Sequence, residues 1–157
     1  MKRNYLNCPG FTLVELLIVI SVTAIVTAIG IASYVDFNRA QIVNQAAKKI
    51  VQDLRMAQSL ATNNQKTPGC SGTLNDYTFE RNGLSYSIKI NCSPNYTETV
   101  KTGNVSGVAL SGFTIAKFKV LRQGVVMTEG NNLTVAGFGK SKMVVVEPGG
   151  AIYIEGE

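Results

Sequence analysis

The chain has 157 residues, with 15 basic against 10 acidic side chains and neither histidine nor tryptophan. One domain plus one long helix fits that length, and a formal charge of +5 is too mild to imply nucleic acid by itself. Without histidine the commonest general base is missing, and no paired carboxylates or metal-ligand cluster replaces it, so we expect no enzyme, no metal and no cofactor.

The chain opens with a leader, MKRNYLNCPG, that carries Lys2, Arg3 and Cys8. Setting residues 1–10 aside leaves 13 basic against 10 acidic residues, a charge of +3. Phe11 to Ile31 is a run of 21 residues with one charge, Glu15, and no proline. As a helix it is long enough to cross a hydrocarbon core of about 30 Å. The basic leader stays cytoplasmic by the positive-inside rule, which puts the remainder outside. The small residues Ala28, Gly30 and Ala32 lie at the far end of the apolar run, so a conventional signal cleavage there stays open. Glu15 costs about 2–3 kcal/mol on insertion scales. It therefore needs a partner, or it snorkels to the headgroups. A cut after Gly10 would free the amine of Phe11, four residues away on the same helix face.

Gly10-Phe11-Thr12-Leu13-Val14-Glu15, ahead of an unbroken apolar run, resembles the processing site of type IV pilins and type II secretion pseudopilins. The resemblance implies that a prepilin peptidase cuts between Gly10 and Phe11 and N-methylates Phe11. It implies that Glu15 meets the terminal amine of a neighbouring subunit and sets the axial register. The implied partners are other pilin or pseudopilin subunits, the peptidase, an inner-membrane assembly platform, and membrane lipid before assembly. The implied location is the bacterial inner membrane, single-pass with the head outside the cytoplasm, and then a filament.

From Ala32 to about Asn64 the helix pattern continues and becomes amphipathic. Val43, Ala47, Ile50, Leu54, Ala57 and Ala61 form one stripe, with Lys48, Lys49, Gln52, Arg55 and Ser59 largely off it. Lys49 and Asp53 are spaced for a weak pair. The stripe suits packing on a sheet better than a coiled-coil seam, because its alanines are small and it spans under three heptads. A helix of roughly 53 residues would run about 80 Å, with Gly30 as its weak point. Asn63-Asn64 and Pro68-Gly69 end it.

Beyond residue 68 the pattern has period two. Tyr77, Phe79 and Arg81 face Ser85, Tyr86 and Ile88 around Asn82-Gly83, a hairpin turn pair. Leu84 to Asn91 reads as a strand and Ser93 to Asn104 as a polar loop. Val105–Leu110, Phe113–Leu121, Val125–Thr128, Leu133–Ala136, Met143–Glu147 and Ala151–Glu155 are further strand candidates. The expected fold is α+β: leader 1–10, membrane or filament-core helix 11–35, amphipathic helix 36–64, and an antiparallel β head 65–157 packed on the helix, the pilin fold.

Once Cys8 leaves with the leader, Cys70 and Cys92 remain, an even pair in an oxidising compartment that favours a disulfide over two buried thiols. Lys101, Lys117, Lys119, Arg122, Lys140 and Lys142 stand against Glu129 alone and offer a basic surface or merely a solvated face. Gly139-Lys140-Ser141 echoes a phosphate loop, but Thr134 stands where that motif needs glycine.

Leu54-Arg55-Met56-Ala57-Gln58-Ser59 before an all-β head, with Met143–Val146 and Gly149–Ile154 at the end, resembles the GspH and FimT group of minor pseudopilins and minor pilins. Some members carry a Gly-Arg-x-Arg element that binds DNA. The matching stretch here, Gly150-Ala151-Ile152-Tyr153, has no arginine, which makes DNA the lesser expectation. The function expected is a filament subunit of a type II secretion pseudopilus or type IV pilus. The alternatives are a type IV pilin for adhesion, motility or DNA uptake, and a membrane-anchored binding module that never polymerises.

Overall fold

One helix, α1, runs Leu13–Thr62 without a proline. The computed structural model describes residues 10–122 and 124–156; the side chains of residues 29, 32 and 122 are outside that description. The leader residues Lys2, Arg3 and Cys8 and the basic side chain of Arg122 therefore lie outside the described part. Thr12 caps the helix: its Oγ1 accepts the N–H of Glu15 at 3.2 Å, the first half of a Thr-x-x-Glu capping box. At the other end Gln65 N–H reaches Leu60 O at 3.0 Å and Asn64 N–H reaches Ala61 O at 3.1 Å. With Asn64 at φ 50 this is a Schellman stop built on asparagine rather than glycine.

The chain divides into two compact units, Met1–Asn38 and Arg39–Glu157. In the first, the described residues from Leu13 on are helical. In the second, the rest of α1 joins, among the described residues, nine strands: β1 Leu74–Asn82, β2 Ser85–Cys92, β3 Tyr96–Asn104, β4 Ala109–Gly112, β5 Ile115–Lys119, β6 Val125–Met127, β7 Asn132–Gly137, β8 Lys140–Val146 and β9 Ile152–Ile154. They form two antiparallel sheets, β3-β2-β1-β5-β6 and β4-β7-β8-β9. The antiparallel head expected from sequence is thus present, but divided in two. The chain passes between the sheets at the β3–β4, β4–β5 and β6–β7 connections, and at the β4–β5 corner Arg81 donates to the carbonyls of Phe113, Leu110 and Gly112. Gly112 sits at φ +109 with an added Cβ falling 2.1 Å from Asn132 O, so only glycine fits the corner.

The helical stripe of Val43, Ala47, Ile50, Leu54, Ala57 and Ala61 is buried with Tyr77, Phe79, Ile88, Phe118, Leu133 and Val144 in one core. Phe79 stacks on Tyr86 at 5.0 Å between centroids and meets Phe113 edge-on at 6.1 Å.

Several sequence expectations are corrected. Ser93–Asn104 is not a loop: residues 93–95 turn the chain, and Tyr96–Asn104 is β3, paired with β2. Six of its nine residues are exposed and most are polar, as suits a sheet edge, so no apolar alternation betrays it. The strand placed at Val105–Leu110 begins instead at Ala109. The first hairpin turns on Gly83-Leu84, one residue later than expected, because Asn82 pairs with Ser85; glycine in first place is the type II′ preference. Phe138-Gly139, both at positive φ, form the β7–β8 turn, so Gly139-Lys140-Ser141 belongs to a hairpin.

Candidate functional site

The N-terminal segment is the first candidate. Gly10 is exposed, and an added Cβ there would meet nothing within 4 Å. Phe11 is 81% exposed, and Glu15 is exposed one turn into the helix. Its place in the first turn favours a carboxylate, because unpaired N–H groups concentrate positive potential there. Thr12 was not singled out from sequence, although the Thr-x-x-Glu spacing was there to read. The apolar residues that follow, Leu13 to Ile31, are exposed wherever their side chains are described. α1 is long and apolar enough to cross a membrane. Three hydroxyls within this apolar stretch bond their own helix: Ser21 donates to Leu17 O and Ile18 O, Thr23 to Val19 O and Ile20 O, and Thr27 to Thr23 O, all at 2.7–3.0 Å. A hydroxyl that bonds its own helix leaves no polar group seeking water.

The second candidate is the polar seam along the far half of α1. Asp53 is 4% exposed. It accepts from Tyr86 OH at 2.6 Å and from Lys101 Nζ at 2.7 Å. Burial, and then the hydrogen bond to Asp53, push the Tyr86 phenol well above its ordinary value. The weak Lys49–Asp53 pair expected from spacing gives way to this buried one, and Lys49 donates to Asn104 O instead. The Tyr86 ring lies against Gly103, where any Cβ would fall 2.2 Å from the ring. Further along the helix, Arg55 donates to Ile152 O and Gln58 to Gly150 O, both at 2.7 Å. The Arg-x-Ala-Gln-Ser stretch is thus where α1 is bonded to the final hairpin.

Cys70 and Cys92 form a disulfide with Cα atoms 5.9 Å apart. Close by, Glu98 accepts from Thr67 at 2.6 Å and Tyr96 at 2.9 Å, which holds its carboxyl below the ordinary range. The basic residues are dispersed. Lys101 is committed to Asp53, Lys117 and Lys119 lie on the exposed face of β5, and Lys140 and Lys142 lie on β8 of the other sheet.

Residues 6–31 match the family described as the prokaryotic N-terminal methylation motif. No curated protein matches the sequence. Among solved structures the chain is similar to the type IV minor pilin FimU of Pseudomonas aeruginosa strain PAO1: TM-score 0.53, 13% identity, covering 71% of this chain and 91% of that one. An N-terminal methylation motif therefore heads a type IV pilin-like fold.

Proposed function

We propose that this chain is a minor pilin-type subunit that assembles into a filament through its N-terminal helix. Residues 1–10 are a leader, 11–35 the membrane and filament-core segment, 36–64 the amphipathic helix, and 65–157 the β head. Prepilin peptidase cuts between Gly10 and Phe11 and methylates Phe11. The subunit waits in the bacterial inner membrane with its head outside the cytoplasm. It is then drawn by the assembly platform into a type II secretion pseudopilus or a type IV pilus. The observation that carries this reading is an all-round apolar helix headed by the methylation motif, exposed in its first half wherever its side chains are described. Such a surface needs oil or several like helices around it. Glu15 then meets the amine of an adjacent Phe11.

Mass spectrometry of the N-terminus of protein taken from cells tests the processing step. A chain beginning at N-methylated Phe11 is expected; an intact Met1 would favour the anchored module that never polymerises. Glu15→Ala is expected to leave membrane insertion intact and to cut incorporation into sheared filaments. Equal incorporation would remove the pairing role.

A further inference from the structure

At the start of the second unit a half-exposed aromatic ring packs on α1. Phe138 stands at the tip of the β7–β8 hairpin, 48% exposed and at φ 53. A turn position at positive φ suits glycine or asparagine, and half of this ring is uncovered, so neither the backbone nor the core accounts for a phenylalanine there. The ring is held on two sides. The Arg39 guanidinium carbon lies 5.9 Å from its centre, a cation–π distance, and a Cβ added at Gly107 would fall 3.6 Å from it. Arg39 is exposed, and among the described residues no acceptor meets it, so its five donors stay open beyond the ring.

Position along α1 supplies the medium. Arg39 comes eight residues after Ile31, the last of the apolar run, which is within about 12 Å at 1.5 Å of helix per residue. Helical side chains lean back over the preceding turn, and arginine snorkels, so the guanidinium reaches back toward the run. Beyond a hydrocarbon core the headgroup layer is about 5–8 Å deep. The guanidinium, and the ring against it, therefore fall at headgroup depth when residues 11–31 span a bilayer. Tyr34 and Phe37, 69% and 60% exposed, occupy the same interval, as aromatic residues do at membrane interfaces. Arg39 and, just after Phe138, Lys140 and Lys142 outnumber Asp36 in these two stretches, the balance that anionic lipid attracts.

We propose that the β7–β8 tip docks on the anionic lipid surface around the waiting subunit. The Phe138 ring enters the boundary between headgroups and acyl chains, and the Arg39 guanidinium bonds a lipid phosphate, whose oxygens suit its planar fork. The docking rests on the reading of residues 11–31 as a membrane span. It gives the subunit a second hold on the bilayer, one that is released when the chain enters a filament.

The chain holds no tryptophan, so single-tryptophan variants of the full chain report depth. Ile20→Trp, Phe138→Trp and Val126→Trp each replace an exposed side chain. Val125, beside Val126, shares a cleft with Ser59 and Asn63, about 30 Å along the helix from Arg39. Each variant is reconstituted in phosphatidylcholine–phosphatidylglycerol vesicles with lipid brominated either near the headgroup or near the acyl end. Ile20→Trp is expected to be quenched by deep bromine, Phe138→Trp by shallow bromine with a blue-shifted emission, and Val126→Trp by neither. Adding Arg39→Gln to Phe138→Trp is expected to lose most of the shallow quenching. Quenching of Ile20→Trp without Phe138→Trp overturns the docking and leaves the span in place; quenching of neither overturns both. Equal quenching of Phe138→Trp and Val126→Trp, or no loss with Arg39→Gln, also overturns the docking.

Discussion

The two halves of α1 have the same backbone and opposite surroundings. In the first half, Leu13, Leu16, Leu17, Ile20 and Ile25 are all more than half exposed. In the second, Val43, Ala47, Ile50, Leu54, Ala57 and Ala61 are 0–1% exposed. Helix formation does not separate them; the angular spread of apolar residues does. A stripe is covered by the chain's own two sheets. A cylinder is covered only by a medium or by other helices on every side.

The sharpest way to break this contrast is a matched pair of truncations. Leu54→Ala empties a fully buried position and is expected to cost the head about 2–5 kcal/mol, read as a lowered denaturant midpoint. Leu17→Ala is expected to leave that midpoint unchanged; a comparable loss would mean that the first half also supports the head. Next in size is the disulfide. Opening Cys70–Cys92, 22 residues apart, should cost about 3 kcal/mol in the chain-entropy model, seen as a reductant-dependent fall in melting temperature.

Asp53→Asn should cost about 1–2 kcal/mol by removing the carboxylate that Lys101 and Tyr86 share. The same seam has an alkaline signature. The Tyr86 phenol is raised above its ordinary 10.0, so above that pH the unfolded chain loses the proton first. The stability it contributes is full below about pH 10 and is lost as pH climbs through the raised folded value, at up to about 1.4 kcal/mol per pH unit. Tyr86→Phe should flatten that decline in an alkaline melting series. The smallest effect is at Glu98, exposed and depressed. Its contribution is present above the ordinary carboxylate range and fades as pH falls through its lowered value. Melting curves of Glu98→Gln and the parent should therefore differ slightly near neutrality and converge in acid.

Legibility in the sequence followed the range of the interactions. The stripe of α1, its stop at Asn63-Asn64 and the alternation of Ala116, Lys117, Phe118 and Lys119 are local, and could be read from spacing. β3 could not, because an edge strand made of Thr97, Glu98 and Thr99 has no apolar period. Nor could the division into two sheets, whose β4–β5 corner is held by Arg81 reaching carbonyls about 30 residues away. The seam was hidden for the same reason. Asp53 has a good local partner in Lys49 by spacing, yet burial gave it to Tyr86 and Lys101.

The bond from Arg55 to Ile152 spans 97 positions, and this bears on the order of events during synthesis. The helix leaves the ribosome long before its carbonyl partner exists. Until residues 150–152 have been made, the guanidinium and the amide on that face of α1 have only water to bond. A nascent head halted before Gly150 would carry its sheets without the two clasps that join the last hairpin to the helix. Residues 150–152 thus act as the latch of the head, and products truncated before them should be the first degraded by proteases.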